Sequence, residues 1–332
     1  MSTAGFPQVR LRRLRQTPWM RTLMQETWLH PRSLVWPVFV REASLPADIV
    51  SMPGVRRFTL EELPAAVIAA HEVGIQAVAL FPCIERDLKT SDGREAKNPN
   101  NLICRALQVL RKEVPSIGLI ADVALDPYMP HGHDGILKGD DVDNDLTLPV
   151  LADQAVALAQ AGVHIVAPSD MMDGRIGVIR AALDVAGYSD VSILAYSAKF
   201  ASAFYGPFRD AVGSVKCLGA ASKQSYQMNP ANVAEALREV ALDLQEVADM
   251  VMVKPALPYL DVVRAVSETF QIPIFAYHVS GEYAMLKAAA QLGWLDYRAT
   301  LLESLTSIKR AGAQNIITYS AYEAACWLKE DS

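Results

Sequence analysis

Cysteine is scarce in this sequence, and what there is does not cluster. Cys83, Cys104, Cys217 and Cys326 stand far apart in 332 residues, and no Cys-x-x-Cys pair occurs. Neither a cysteine zinc site nor a disulfide framework is suggested, and a reduced, cytoplasmic setting is the expectation. Positive charge is not in excess either. The net charge of −6 gives no electrostatic reason to expect nucleic acid or an anionic membrane as a partner. No apolar run approaches the roughly 18 to 20 residues of a membrane helix. Glycine is missing after the first apolar segment, in "PVFVREASLP". That counts against a dinucleotide-binding open sheet, which needs a glycine-rich phosphate turn there. Low-complexity tracts and domain linkers are also lacking.

What is present is apolar residue in short runs. Hydrophobic residues make up 51% of the chain, enough for a large core. The runs 33–40, 77–82, 116–125, 164–169, 191–198, 249–255, 272–280 and 315–320 each read as a strand. Each is almost continuously apolar, as a strand covered on both faces must be. Helical periodicity fills several gaps, at 60–73, 148–161, 174–187 and 230–247. Strands separated by helices pair in parallel through crossovers. Eight such units predict an α/β fold, a (β/α)8 TIM barrel over residues 33–332, with a doubly wound open sheet as the alternative.

Residues 1–32 are different. They hold six arginines (10, 12, 13, 15, 21 and 32) and one acid, Glu26. The basic content resembles a transit peptide, but serine richness and a signal-type apolar core are missing. Trp19, Met20, Leu23, Met24 and Trp28 need a surface to cover them, so the expectation is an oligomerisation arm that docks on a neighbouring subunit.

Polar residues gather at one end of the expected strands. Asp122 and Asp126 close the third, Ser169 and Asp170 the fourth, Lys199 the fifth, Lys254 the sixth, Ser280 the seventh and Tyr319 the eighth. Barrel active sites lie at that end, so the pattern points to an enzyme. A single lysine at the end of an oily strand can simply snorkel to solvent. Two on adjacent strands are about 5 Å apart strand to strand. Each then depresses the pKa of the other, and apolar walls act in the same direction. Free amines near neutrality are carbonyl nucleophiles. One would suit a class I aldolase, whereas two suggest a pair of carbonyl substrates held side by side.

The segments "MVMVKPALPYLDVV" and "ILAYSAKFASAFYGPFRDA" resemble the two lysine signatures of the porphobilinogen synthase (5-aminolevulinate dehydratase) family. The likeness runs from "RLRRLR" and "WPVFV" to "IITYSA". It implies a hydro-lyase of tetrapyrrole and haem biosynthesis that condenses two 5-aminolevulinate molecules into porphobilinogen, with loss of two waters. By that resemblance Lys254 holds the substrate that supplies the propionate side, and Lys199 the one that supplies the acetate side. Arg209, Lys223 and Gln227 would grip the second substrate's carboxylate, and Ser280 and Tyr319 the first's. Phe204, Tyr205 and Phe208 would belong to a lid. A homo-octamer is the implied assembly. The rivals are another Schiff-base barrel enzyme, needing one amine only, and a non-catalytic barrel that serves as an assembly subunit.

The stretch "ADVALDPYMPHGHDG" bears on metal. Where zinc-dependent members carry three cysteines, this chain resembles them with Ala124, Asp126 and Asp134. Thiolates select zinc, whereas carboxylates favour magnesium. The implied branch is therefore the aspartate-rich, magnesium-responsive one, without an organic cofactor. His131 and His133 beside Asp134 leave a transition-metal site open as an alternative. Asp122, Asp126, Asp134, Ser169 and Asp170 are candidates for orienting amines or moving protons. Glu239 matches the place where relatives hold an allosteric Mg2+ with one glutamate and waters.

Overall fold

The computed structural model describes residues 5–212 and 222–330. Cys217 lies outside them. Eight parallel strands close on themselves: β1 (Leu34–Arg41), β2 (Ala77–Cys83), β3 (Gly118–Val123), β4 (Ile165–Pro168), β5 (Ser192–Lys199), β6 (Met250–Lys254), β7 (Ile274–His278) and β8 (Asn315–Thr318). Closure is direct, with Leu34 opposite Ile316 and Val35 opposite Ile317. The (β/α)8 barrel is thus the observed fold. The strand ends fall a residue or two inside the apolar runs, so Asp126, Ser169, Asp170, Ser280 and Tyr319 sit just past the ladders.

The strands are apolar throughout because each has two buried faces. Val35, Ala79, Ile120, Ala167, Leu194, Met252, Phe275 and Ile317 point into the barrel and pack together. Their neighbours Val38, Val78, Leu119, Val166 and Ile193 face the first helices, and Val251, Ala276 and Ile316 face the last ones. Those helices are α1 (Leu63–Glu72), α2 (Leu102–Glu113), α3 (Asn144–Gln160), α4 (Arg175–Val185), α5 (Gly206–Ala211), α6 (Val233–Gln245), α7 (Leu260–Thr269), α8 (Ser280–Gln291), α9 (Tyr297–Ala311) and α10 (Ala321–Glu330). Short polar side chains start several of them. Asn101, Asp143, Asn232 and Asp296 each accept a backbone N–H of the first turn. Helix α3 begins four residues before the expected 148 and carries Pro149 inside. A proline normally marks a helix start, and here the Asp143 cap sets the start earlier.

One departure from regularity places a lysine. Ala195 lies opposite Val251 and Ala198 opposite Val253, so β5 holds one residue more than β6 between those points. This is a β-bulge. Before it, Leu194 and Tyr196 face inward. After it, Ala198 and Phe200 face outward, and Lys199 lies opposite Lys254. Strict alternation from Tyr196 would turn Ala198 inward and Lys199 out towards the helices.

Residues 5–30 contain no buried side chain. A 3-10 turn at Leu11–Arg15 and a short helix at Pro18–Leu23 expose Leu11, Leu14, Trp19, Leu23 and Trp28.

Candidate active site

The C-terminal mouth of the barrel holds a cavity of about 30 Å³ lined by Asp126, Lys199, Tyr205, Phe208, Arg209, Lys223, Gln227 and Lys254. Six of these are residues that the sequence singled out for chemistry. The cavity has room for only a few waters.

The two lysines have unlike surroundings. Lys254 is 6% exposed. Its Nζ lies 4.6 Å from the Tyr277 ring centroid, 5.1 Å from Tyr196, 5.2 Å from Phe208 and 5.3 Å from Tyr205. Among the described residues no carboxylate forms an ion pair with it. Burial first, and the Lys199 ammonium second, bring its pKa down to about 7. Lys199 is as buried, but its Nζ lies 3.4 Å from Asp134 Oδ1 and donates to the Ser169 carbonyl. One amine is caged by rings, and the other is ion-paired.

The carboxylates divide in the same way. Burial, reinforced by Asp126, raises Asp122 to about 7 against the pull of both lysines. Its Oδ1 has no hydrogen-bond partner. Asp134 goes the other way. Burial alone would raise it, but Lys199 and Lys223 outweigh burial and hold it at about 2. Lys223 Nζ is 2.7 Å from Asp134 Oδ2 and 3.6 Å from Asp126 Oδ2. Two carboxyls in one mouth are thereby driven apart in acidity, the pattern expected of an acid–base site. Asp170, raised to about 6 by burial, accepts Met172 N at 2.8 Å and lies 3.8 Å from Arg175 Nε.

A lid segment covers the mouth. Its helix α5 carries Phe208 and Arg209 into the cavity wall. Tyr205 Oη donates to the Lys254 carbonyl at 3.1 Å. Phe208 N donates to Ser280 Oγ at 2.9 Å. Arg57 holds the far end through the carbonyls of Ala211 (2.6 Å) and Asp210 (2.8 Å). Ser280 and Tyr319 therefore stand beside the cavity rather than in its lining. Ser280 is engaged with the lid, and Tyr319 Oη is 3.1 Å from Tyr277 Oη.

His131 and His133 do not assemble with Asp134 into a metal set. Among the described residues no three His, Cys, Asp or Glu side chains group in that way. His133 Nδ1 pairs with Tyr226 Oη at 3.1 Å, and Asp134 is occupied by Lys199, Lys223 and Tyr226. Ala124 is core. Glu239, half-buried on α6, lines a separate cavity of about 450 Å³ with Asp173, Glu235, Asp243 and Glu246.

Sequence reading missed Tyr226, which donates to Asp134 Oδ2 at 2.9 Å. It also missed Tyr196 and Tyr277, which wall Lys254. The "KQSYQ" segment already held the first. Inward strand position marks the others, Tyr196 within the bulge between Ala195 and Ala198 and Tyr277 one residue before the end of β7.

The comparisons agree with this geometry. The family profile for delta-aminolevulinic acid dehydratase matches residues 8–327. A delta-aminolevulinic acid dehydratase of Bradyrhizobium diazoefficiens is 51% identical over 318 residues, 96% of this chain and 90% of that protein. One of Streptomyces coelicolor is 50% identical over 333 residues, 99% of this chain and 100% of that protein. A crystal structure of the Toxoplasma gondii enzyme, in complex with its reaction product porphobilinogen, superposes with a TM-score of 0.95 at 49% identity, covering 98% of this chain and 92% of that one. A closed barrel with paired lysines at its mouth and relatives matching nearly end to end lead to one assignment: the chain belongs to the delta-aminolevulinic acid dehydratase family.

Proposed function

We propose that this chain carries out the reaction of its family, condensing two 5-aminolevulinate molecules to porphobilinogen with loss of two waters, and that Lys254 and Lys199 are its two amine nucleophiles. The observation that carries this is the register: Lys199 and Lys254 are partners on adjacent strands and line one cavity. Each amine adds to a substrate ketone carbon, and loss of water leaves an imine. Lys254 is ready to add near neutrality because burial disfavours its ammonium. Lys199 meets its substrate from a different setting, ion-paired with Asp134. Two unlike amines suit an asymmetric condensation, with the substrates distinguished before they join. Asp122, with a carboxyl raised to about 7, an unpartnered buried oxygen and both lysines within electrostatic reach, is the proton carrier we assign. Arg209 and Gln227 at the cavity wall fit a substrate carboxylate. Lys223 fits the same role on leaving its aspartates, and the hydroxyls of Ser280 and Tyr319 beside the cavity would receive the other carboxylate, Ser280 turning its proton from the Phe204 carbonyl while still accepting from Phe208 N.

Glu239 with water around it suits Mg2+, which keeps most of its waters and can be held by a single carboxylate, and the wall of the same cavity also carries Arg175 and Arg238. Magnesium there would act on the assembly rather than on the chemistry, and added Mg2+ should affect wild type but not Glu239→Ala. The exposed apolar side chains of the arm favour a homo-oligomer, of octameric order by family likeness, with residues 1–32 as its clasp. No helix among the described residues is long and apolar enough to cross a membrane. A cytoplasmic site of action is the setting that few and widely spaced cysteines favour.

Borohydride reduction in the presence of 5-aminolevulinate, read by peptide mass spectrometry, tests the reading. Tags on both lysine peptides are the expected result. A tag on neither, in folded protein, overturns it. A fully active Lys199→Ala variant would move the chain towards one-amine, aldolase-like chemistry.

A further inference from the structure

Glu282 is fully buried on the first turn of α8, with 0% exposure. Its Oε1 accepts from Leu257 N at 2.5 Å, and its Oε2 accepts from Val279 N at 2.6 Å and Ala256 N at 3.4 Å. Two of those donors belong to the turn that directly follows Lys254. The third belongs to the turn that follows β7. Three N–H groups converge on one side chain, and each needs a lone pair. Only a carboxylate offers acceptors on both oxygens with no donor of its own, and these three N–H groups favour that form against burial, which raises the Glu282 pKa to about 7.

The turn after β7 also grips the lid. Ser280 Oγ accepts from Phe208 N at 2.9 Å and donates to the Phe204 carbonyl at 3.4 Å. Gly281 lies so close to Phe204 that a Cβ would sit 2.7 Å from its Cα. The lid in turn reaches Lys254 through Tyr205 Oη. These contacts form a ring. The Lys254 turn is tied to Glu282, Glu282 to the α8 turn, the α8 turn to the lid, and the lid to the Lys254 carbonyl.

We propose that Glu282 is a positioning residue that couples lid closure to the aim of the Lys254 amine, so that the nucleophile is set only when the mouth is shut. The proposal rests on the reading of Lys254 as a nucleophile. It adds a residue that touches neither substrate nor amine and acts through two backbone turns.

Glu282→Gln preserves size but turns an NH2 group towards an N–H donor, which breaks one side of the clamp. The full chain in its native assembly is compared with wild type by circular dichroism, kcat and KM, and borohydride trapping with 5-aminolevulinate. Expected is a folded variant with kcat lowered about 10- to 100-fold, the scale of a small misplacement of reacting groups. Tagging of Lys254 should slow by a similar factor while tagging of Lys199 does not change. Wild-type kcat and tagging, or an equal loss of both tags, would overturn the proposal in favour of a purely structural role. If the variant does not fold, hydrogen exchange on wild type decides. The 256–257 amides, Val279 and the 204–208 segment should gain protection together on adding 5-aminolevulinate, and independent protection would overturn the coupling. Failure of the underlying reading shows separately, as a missing Lys254 tag in wild type before any variant is made, and takes the proposal with it.

Discussion

Lys254 carries a pH signature that can be worked out in sign. Its folded pKa is about 7, whereas a free lysine titrates near ~10.4. Between those values the unfolded chain holds a proton that the folded chain has released. The cost to stability is therefore complete below about 7 and is relieved as pH rises from there towards ~10.4. Activity should follow the free amine, with kcat/KM rising through about pH 7 and levelling above it. Asp122 pulls the Lys254 value upward, so Asp122→Asn should move this acidic limb to lower pH as well as slow the reaction. A pH–rate profile with an unmoved limb would contradict the assignment. Tyr226→Phe tests the other carboxyl. Removing the phenol leaves Asp134 Oδ2 short of a donor and Asp134 N short of an acceptor, and the loss expected in a denaturant titration is about 1–3 kcal/mol.

The barrel strands were legible because burial on both faces leaves an unbroken apolar run, and the lysines because charge ends such a run abruptly. The bulge was not legible. "ILAYSAK" contains no glycine or proline to announce it, and it shows only in the pairing of β5 with β6. The lid was legible as aromatics and glycines, but its anchors were not, since Arg57, Ser51 and Ser280 come from distant parts of the chain, Arg57 and Ser280 holding backbone groups and Ser51 the Asp210 carboxylate. Ser280 and Tyr319 likewise stand in unforeseen partnerships because a strand-end position does not fix a side chain's partner. Gly281 gives the element-scale test. In Gly281→Ala the new Cβ collides with the Phe204 backbone, so the lid must lift. KM should rise and kcat/KM fall about 10- to 100-fold, with the unfolding midpoint little changed, as steady-state kinetics and a thermal melt would show.

Taken whole, the chain is a barrel with an unfinished surface. Trp19 is 63% exposed, Leu23 66% and Trp28 56%, more apolar area than a segment of this length usually leaves in water. Deleting residues 1–32 should give a smaller species than the full chain by light scattering, and equal masses would remove the arm from the assembly. The basic character of the segment was legible from its arginines alone, whereas its conformation, a 3-10 turn and one short helix, was not. The extra residue in β5 has a consequence at this scale too. Which side chains enter the chamber after it is a matter of odd and even counting. Loss of one residue between Ala195 and Ala198 would remove the bulge and leave Lys199 opposite Lys254, whereas regular pairing of the stretch at its full length would bring Ala198 to the mouth and turn Lys199 out. In that second case a two-amine chamber would become a one-amine chamber with both lysines still present in the sequence, so the pairing of this stretch is as much a determinant of the chemistry as the lysines are.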